Sequence, residues 1–311
     1  MRALIVTSLY PTPERPALGS FVRDQVEALR RIGSAEIDVF SFAPGDPGRY
    51  VKAAEDLRRR HRRDRFDIVH SHFGLSAWPA LAAHGRKRVV TLHGTDLEHP
   101  RSRVITLTAL RFQDLVAPVS GALARTLPAW MPGGPTAVLP CGVNLERFHP
   151  IPRARARAEL GLEADRPYLL FPSDPRRPEK RYDLAQTLAD AAGVRLLALE
   201  SVIPEQVPLW VNACNAVLVP SEREGFGLAA LEALACDVPV LATPVGIAPT
   251  ALAGVPGTLC AEFDRDRWLA ALAPHLAAED PRVDGRAHAE AFSAPRMAAR
   301  VLAAWQSLLS T

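Results

Sequence analysis

Two carboxylates stand eight positions apart in Glu224-Gly225-Phe226-Gly227-Leu228-Ala229-Ala230-Leu231-Glu232. Ala216-Val217-Leu218-Val219-Pro220 before them and Val238-Pro239-Val240-Leu241-Ala242 after them read as buried parallel strands. The unit is therefore strand, turn, helix, strand, with Glu224 in the turn and Glu232 about two helical turns in. Leu228 to Ala235 carries a single charge among apolar neighbours. A carboxylate there is costly to bury unless donors reach it, and ligand hydroxyls would supply them. Gly225 and Gly227 let the backbone N–H groups of Phe226, Gly227 and Leu228 approach an anion at the helix start. The competing reading, a solvated glutamate stripe beside a glycine turn, fits poorly between two buried strands.

The elements that must position this unit alternate along the whole chain. Apolar runs at 3–8, 37–42, 67–72, 89–93, 115–119 and 137–140 read as strands in the first half. In the second half they fall at 168–172, 194–199, 216–220, 238–242 and 257–261. Helical patterns lie between them: Phe21, Val22, Val26, Leu29 and Ile32 recur at helical spacing, and Asp183 to Ala192 is similar. Such alternation implies parallel, doubly wound sheets. Phe148-His149-Pro150-Ile151-Pro152 is the best boundary, giving an α/β chain of two Rossmann-like domains facing across a cleft, 1–150 and 151–294. Ligands are expected at the carboxyl ends of strands, between the domains. Ser293-Ala294-Pro295 opens a last helix with apolar Val301, Leu302, Trp305 and Leu308.

Composition narrows the class. The 311 residues are 48% hydrophobic, enough for real cores, and no apolar run reaches membrane-spanning length. Met1-Arg2 leads directly into a strand pattern, so no signal peptide is expected and the location is cytoplasmic. Cys141, Cys214, Cys236 and Cys260 are widely spaced, which fits reduced thiols rather than a zinc site or disulfides. The net charge of +3 divides unevenly, +7 over residues 1–150 and −4 over the remainder. Much of the excess is Arg58-Arg59-Arg60-His61-Arg62-Arg63-Asp64-Arg65, either a solvated helix end or a surface for anionic lipid or a phosphorylated substrate, with a peripheral place at the inner membrane face. No aromatic side chains interleave with these arginines, so nucleic acid is not an expected partner. His70 and His72 share one side of a strand but lack an evident third ligand, so no metal is expected.

Ser221-Glu222-Arg223-Glu224-Gly225-Phe226-Gly227-Leu228 through Ala235 closely resembles the EGFGL…EA stretch of retaining glycosyltransferases of family 4, which have the GT-B fold. Arg176-Arg177-Pro178-Glu179-Lys180 after Leu169-Leu170-Phe171 is similar to that family's basic diphosphate-binding segment. Val90-Thr91-Leu92-His93-Gly94-Thr95-Asp96 resembles its first-domain HG-(S/T)-D turn, and Pro140-Cys141-Gly142-Val143-Asn144-Leu145-Glu146-Arg147-Phe148 resembles the segment that ends that domain. The likeness runs from about residue 67 to 245, with Ser173-Asp174 standing where the family has Gly-Arg and the N-terminal Gly-Gly turn reduced to Gly19.

The resemblance implies a metal-independent transferase without a cofactor, moving a hexose-type sugar from a UDP- or GDP-sugar to a glycan, lipid-linked or small-molecule acceptor, as in polysaccharide biosynthesis. It gives the diphosphate to Lys180 with Arg176 or Arg177, to Gly19, and to the N–H groups at Phe226, Gly227 and Leu228. Glu232 is implied at the ribose, Glu224 at the transferred sugar, and His93 at the sugar or reacting centre. In relatives the terminal helix, here 295–311, packs back on the first domain. Asp264-Arg265-Asp266 spells the DxD of metal-dependent GT-A enzymes, but its charged setting marks a solvated turn. The alternatives are a non-catalytic nucleotide-sugar-binding member and a nucleotide-sugar epimerase.

Overall fold

The structure, a computed structural model, describes residues 1–129, 134–200 and 202–311. The chain divides into two compact units, Met1–Gly142 with Ala294–Thr311, and Val143–Ser293.

In the first unit β1 (Arg2–Thr7), β2 (Glu36–Ser41), β3 (Phe66–His72), β4 (Gly85–Leu92) and β5 (Leu115–Pro118) form one parallel sheet, ordered β2-β1-β3-β4-β5. Strand β1 is buried continuously from Ala3 to Thr7, because helices cover both faces of the sheet. Helices Ser20–Ile32 and Ala294–Ser310 cover one face, where Val22, Val26, Leu29, Val301 and Trp305 share a core. Helix Pro47–Arg60 covers the other through Ala53 and Leu57, against Leu4, Val6 and Phe66. It starts cleanly: Pro47 opens the helix and the Asp46 side chain accepts from the Gly48 N–H at 2.9 Å.

In the second unit β6 (Tyr168–Phe171), β7 (Arg195–Ala198), β8 (Ala216–Val219), β9 (Val240–Ala242) and β10 (Leu259–Cys260) are ordered β10-β9-β8-β6-β7, again all parallel. Counted within each unit, both sheets follow the same doubly wound 2-1-3-4-5 order, in which the winding reverses between the first and third strands. Those reversals fall between β1 and β3, and between β6 and β8. Open α/β sheets bind ligands outside the carboxyl ends of the strands at such points.

Two expectations are corrected. The segment 137–140 is not a strand: Thr136 makes one isolated bridge to Val116, and only the Ala137 and Leu139 N–H groups follow β5. Prolines at 135 and 140 deny it a continuous ladder. The chain passes between units at Gly142–Val143, not at Pro150. The Val143 N–H donates to Phe292 O at 2.9 Å, and Arg286 donates to the carbonyls of Leu145 and Phe148, which fastens this stretch to the second unit. The unit boundary on the far side is Ser293, so the last helix is counted with the first unit. Among the described residues no helix is long and apolar enough to cross a membrane.

Candidate functional site

At the β6/β8 reversal two loops meet. Lys180, in the short turn Pro178–Lys180, donates through Nζ to Glu224 Oε2 at 2.6 Å, although the residues lie 44 positions apart. The other carboxylate oxygen accepts from Ser221 Oγ at 2.8 Å. The pair is largely withdrawn from water, with side chains 13% and 10% exposed. The Glu222 N–H donates to Glu179 O at 2.9 Å and ties the loops together beside it. A fixed cation and a fixed acceptor thus stand side by side at the strand ends, able to meet an anion and a hydroxyl respectively.

Helix Leu228–Ala235 begins at the same place. Its N-terminal N–H groups, with those of Phe226 and Gly227, lie at the positive end of the helix dipole. Its carbonyl end is satisfied by cations: Arg286 donates to Ala235 O at 2.8 Å and Arg282 to Cys236 O at 2.9 Å. The helix buries Ala230, Leu231, Ala233, Leu234 and Ala235, leaving Leu228, Ala229 and Glu232 half-buried on one stripe. Burial, with the Glu232 carboxylate one turn before it, pushes the Cys236 thiol up to about 12.

The two arginines part company. Arg176 turns to Asp174 at 2.7 Å and Glu200 at 3.5 Å, and its hydrogen bonds hold the Asp174 carboxyl down at about 2. Arg177 pairs with Glu179 at 2.8 Å, and its carbonyl accepts the Lys180 N–H at 3.0 Å. Arg177 therefore belongs to the turn of Lys180, whereas Arg176 is tied to the loop in front of it.

In the first unit the β1/β3 reversal is built on a close approach at Gly19. A Cβ there would lie 2.2 Å from Leu9 O, and φ is +67°, so the loop after β1 folds tightly against the helix start. Beside it three histidines form a chain. The Gln25 amide donates to His72 Nε2 at 3.1 Å, and His72 Nδ1 lies 3.1 Å from His93 Nε2. With the amide assigned this way, His72 carries its proton on Nδ1 and donates to His93, which leaves Nδ1–H as the donor of His93. His93 packs on Phe21 at 4.8 Å, while His70 stacks on His72 at 4.8 Å and bonds Thr91 Oγ1 at 2.7 Å. Burial drives the imidazolium form out, lowering His70 and His93 to about 3 and His72 well below its ordinary value.

Asp96 holds this edge together. Wholly buried, it accepts from the N–H groups of Gly74 at 3.1 Å, His93 at 3.2 Å and Gly94 at 2.9 Å. Burial raises its carboxyl to about 6 against those three bonds. In the sequence Asp96 only completes a motif, and Gln25 does not stand out at all. Gln25 sits in a helix with no local signal, and only the topology brings it to β3.

Other candidates resolve into structure. Asp264 caps helix Arg265–Ala277 by accepting from the Arg267 N–H, and Asp266 pairs with Arg265 in solvent. Arg58–Arg60 close helix Pro47–Arg60, and Arg62 to Arg65 lead into β3 at its amino end, opposite the reversal. Among the described residues no three of His, Cys, Asp and Glu gather as a metal site. All four cysteines are free thiols.

Two doubly wound units, each with its polar groups at the strand reversal, have the fold of the GT-B glycosyltransferases. A family model described as Glycosyltransferase Family 4 matches residues 6–147, and one described as Glycosyl transferases group 1 matches residues 170–277. The D-inositol 3-phosphate glycosyltransferase of Segniliparus rotundus is 32% identical, over 80% of this chain and 68% of its own length. That of Actinosynnema mirum is 29% identical over 98% of this chain and 97% of its own. The sucrose-phosphate synthase of Thermosynechococcus elongatus has the same fold, with TM-score 0.75, 21% identity and 99% of each chain covered. Anabaena HepE, solved in complex with UDP-glucose, matches with TM-score 0.68 and 16% identity over 99% of this chain and 100% of its own. The chain belongs to glycosyltransferase family 4.

Proposed function

We propose that the chain moves a hexose-type sugar from a nucleoside diphosphate sugar, UDP before GDP, to an acceptor hydroxyl, with retention of configuration and without a metal. The observation that carries this reading is the Lys180–Glu224 pair at the β6/β8 reversal, beside the start of helix Leu228–Ala235. Lys180, Arg177 and the helix N–H groups take the diphosphate, where negative charge grows as the leaving group departs. Glu232 takes the ribose and Glu224 the hydroxyls of the transferred sugar; His93, a hydrogen-bond donor through Nδ1, is assigned to the sugar or the reacting centre. The bond from the anomeric carbon to phosphate breaks as the bond to the acceptor oxygen forms on the same face. The acceptor proton passes to the departing diphosphate oxygen, so no protein base is required. UDP is favoured because HepE was solved with UDP-glucose.

The division of roles between the glutamates is the test. Titration calorimetry with UDP should show Glu232→Ala weakened about tenfold, roughly 1.4 kcal/mol. Glu224→Ala should bind UDP within about twofold of wild type yet turn over about a hundredfold more slowly. Equal losses of UDP affinity in the two variants would refute the assignment.

A further inference from the structure

The first unit carries a second concave surface with a different chemistry. A groove of about 450 Å³ is lined by nine residues, none of them charged, among them Pro47, Tyr50, Val51, Leu75, Trp78 and Ile105. Its size lies in the range of small-molecule sites. Apolar side chains stand open to water along it: Val51 is 61% exposed and Ile105 45%. The floor is fixed, since the Trp78 indole donates to Ile105 O at 3.2 Å and its ring meets Phe112 edge-on at 5.9 Å.

This groove is continuous with the β1/β3 reversal. The Tyr50 hydroxyl bonds Ser8, just past β1, and the Ser8 N–H donates to Ser76 Oγ at 3.2 Å. Leu75 lies in the turn that follows His72. Helix Pro47–Arg60 presents Pro47, Tyr50, Val51 and Ala54 at helical spacing toward the groove. Helix Pro100–Ala109 presents Ile105, and Arg101 stands one turn earlier on the same face. A helix that follows a parallel strand starts near the strand's carboxyl end, which sets Arg101 toward the reversal. Arg101 is exposed and has no ion-pair partner among the described residues.

We propose that this groove seats the apolar chain of the sugar acceptor, an anionic amphiphile whose charged head meets Arg101 and whose hydroxyl lies at the strand ends. The proposal rests on the glycosyltransferase reading and names its acceptor class. The test is calorimetric titration of the full chain with n-decyl phosphate below its micellar concentration, with inorganic phosphate and UDP as separate probes. Decyl phosphate should bind and inorganic phosphate should not. Ile105→Glu and Val51→Glu, at exposed positions, should weaken decyl phosphate at least tenfold while UDP affinity stays within twofold. Arg101→Ala should weaken decyl phosphate severalfold and leave n-decyl maltoside unchanged. Equal decyl phosphate binding by wild type and both glutamate variants would overturn the groove, as would binding to phosphatidylglycerol vesicles without binding of the monomeric amphiphile. Loss of UDP binding by wild type would instead strike the donor reading, because the decyl phosphate arm does not depend on it.

Discussion

His70, His72 and His93 are packed ring on ring and remain neutral at working pH, so His93 offers a hydrogen-bond donor rather than a cation. The same burial has a consequence for stability. Each imidazole is depressed from 6.5 when folded, His70 and His93 to about 3, so the unfolded chain binds protons first as the pH falls. Their contribution is complete above about 6.5 and is lost progressively toward about 3. Asp96 has the opposite sign: raised from 3.8 to about 6, it favours the folded state most at low pH and loses that contribution as the pH climbs through about 6. Three histidines outweigh one carboxyl, so stability should rise with pH between 4 and 6. The sharper expectation concerns His70→Phe. Whatever its effect on absolute stability, the slope of unfolding free energy against pH in that window should fall by up to about 1.4 kcal/mol per pH unit. Denaturant titrations at a series of pH values measure this, and an unchanged slope would mean that His70 is charged in the folded protein.

The turn from Glu224 to Gly227 is held from behind by the loop after β9. The Ile247 N–H donates to Phe226 O at 2.6 Å, and Gly246 sits so close that a Cβ would fall 2.4 Å from that same oxygen and 2.8 Å from Glu224 Cβ. Gly246→Ala must therefore push this turn outward. Gly254 also has positive φ, +75°, but nothing lies within 4 Å of its added Cβ, so Gly254→Ala isolates the backbone cost of about 1–2 kcal/mol. Thermal unfolding should show Gly246→Ala clearly less stable than Gly254→Ala, and only the former should lose UDP affinity, by about tenfold or more. Comparable UDP binding in both would show that the turn does not depend on this support. The strand–turn–helix–strand unit itself was readable in the sequence, because β8 and β9 are short apolar runs and the glycines punctuate the turn. The Lys180–Glu224 contact was not: the two motifs are each visible, but only the β6/β8 pairing brings residues 44 positions apart within 2.6 Å. The strand expected at 137–140 failed because Pro135, Pro140 and, on β5, Pro118 carry no N–H, so the segment keeps the Ala137 and Leu139 bonds to β5 without a continuous ladder.

Across the whole molecule one winding order is used twice, and each unit gathers its polar groups where that winding reverses. Alternating β and α patterns made this architecture legible, since period and burial repeat along the chain. The point of passage between units was harder to read. Phe148-His149-Pro150 has the composition of a linker, yet Arg286 binds the carbonyls of Leu145 and Phe148 through side-chain contacts more than 130 positions distant. The charge asymmetry was legible too, but its arginine run lies at the amino end of β3, while the groove and the histidine chain lie toward the carboxyl ends. The proposed chemistry, sugar transfer with retention at a donor site of Lys180, Glu224 and a helix start, meets its sharpest test in proton NMR of the reaction. A panel of UDP- and GDP-sugars is incubated with an acceptor mixture that includes alkyl glycosides and alkyl phosphates of polyols, in excess EDTA. Free nucleoside diphosphate should be released together with a new glycoside whose anomeric coupling matches that of the donor. Inverted configuration, or activity abolished by EDTA and restored only by added Mg2+ or Mn2+, would contradict that chemistry.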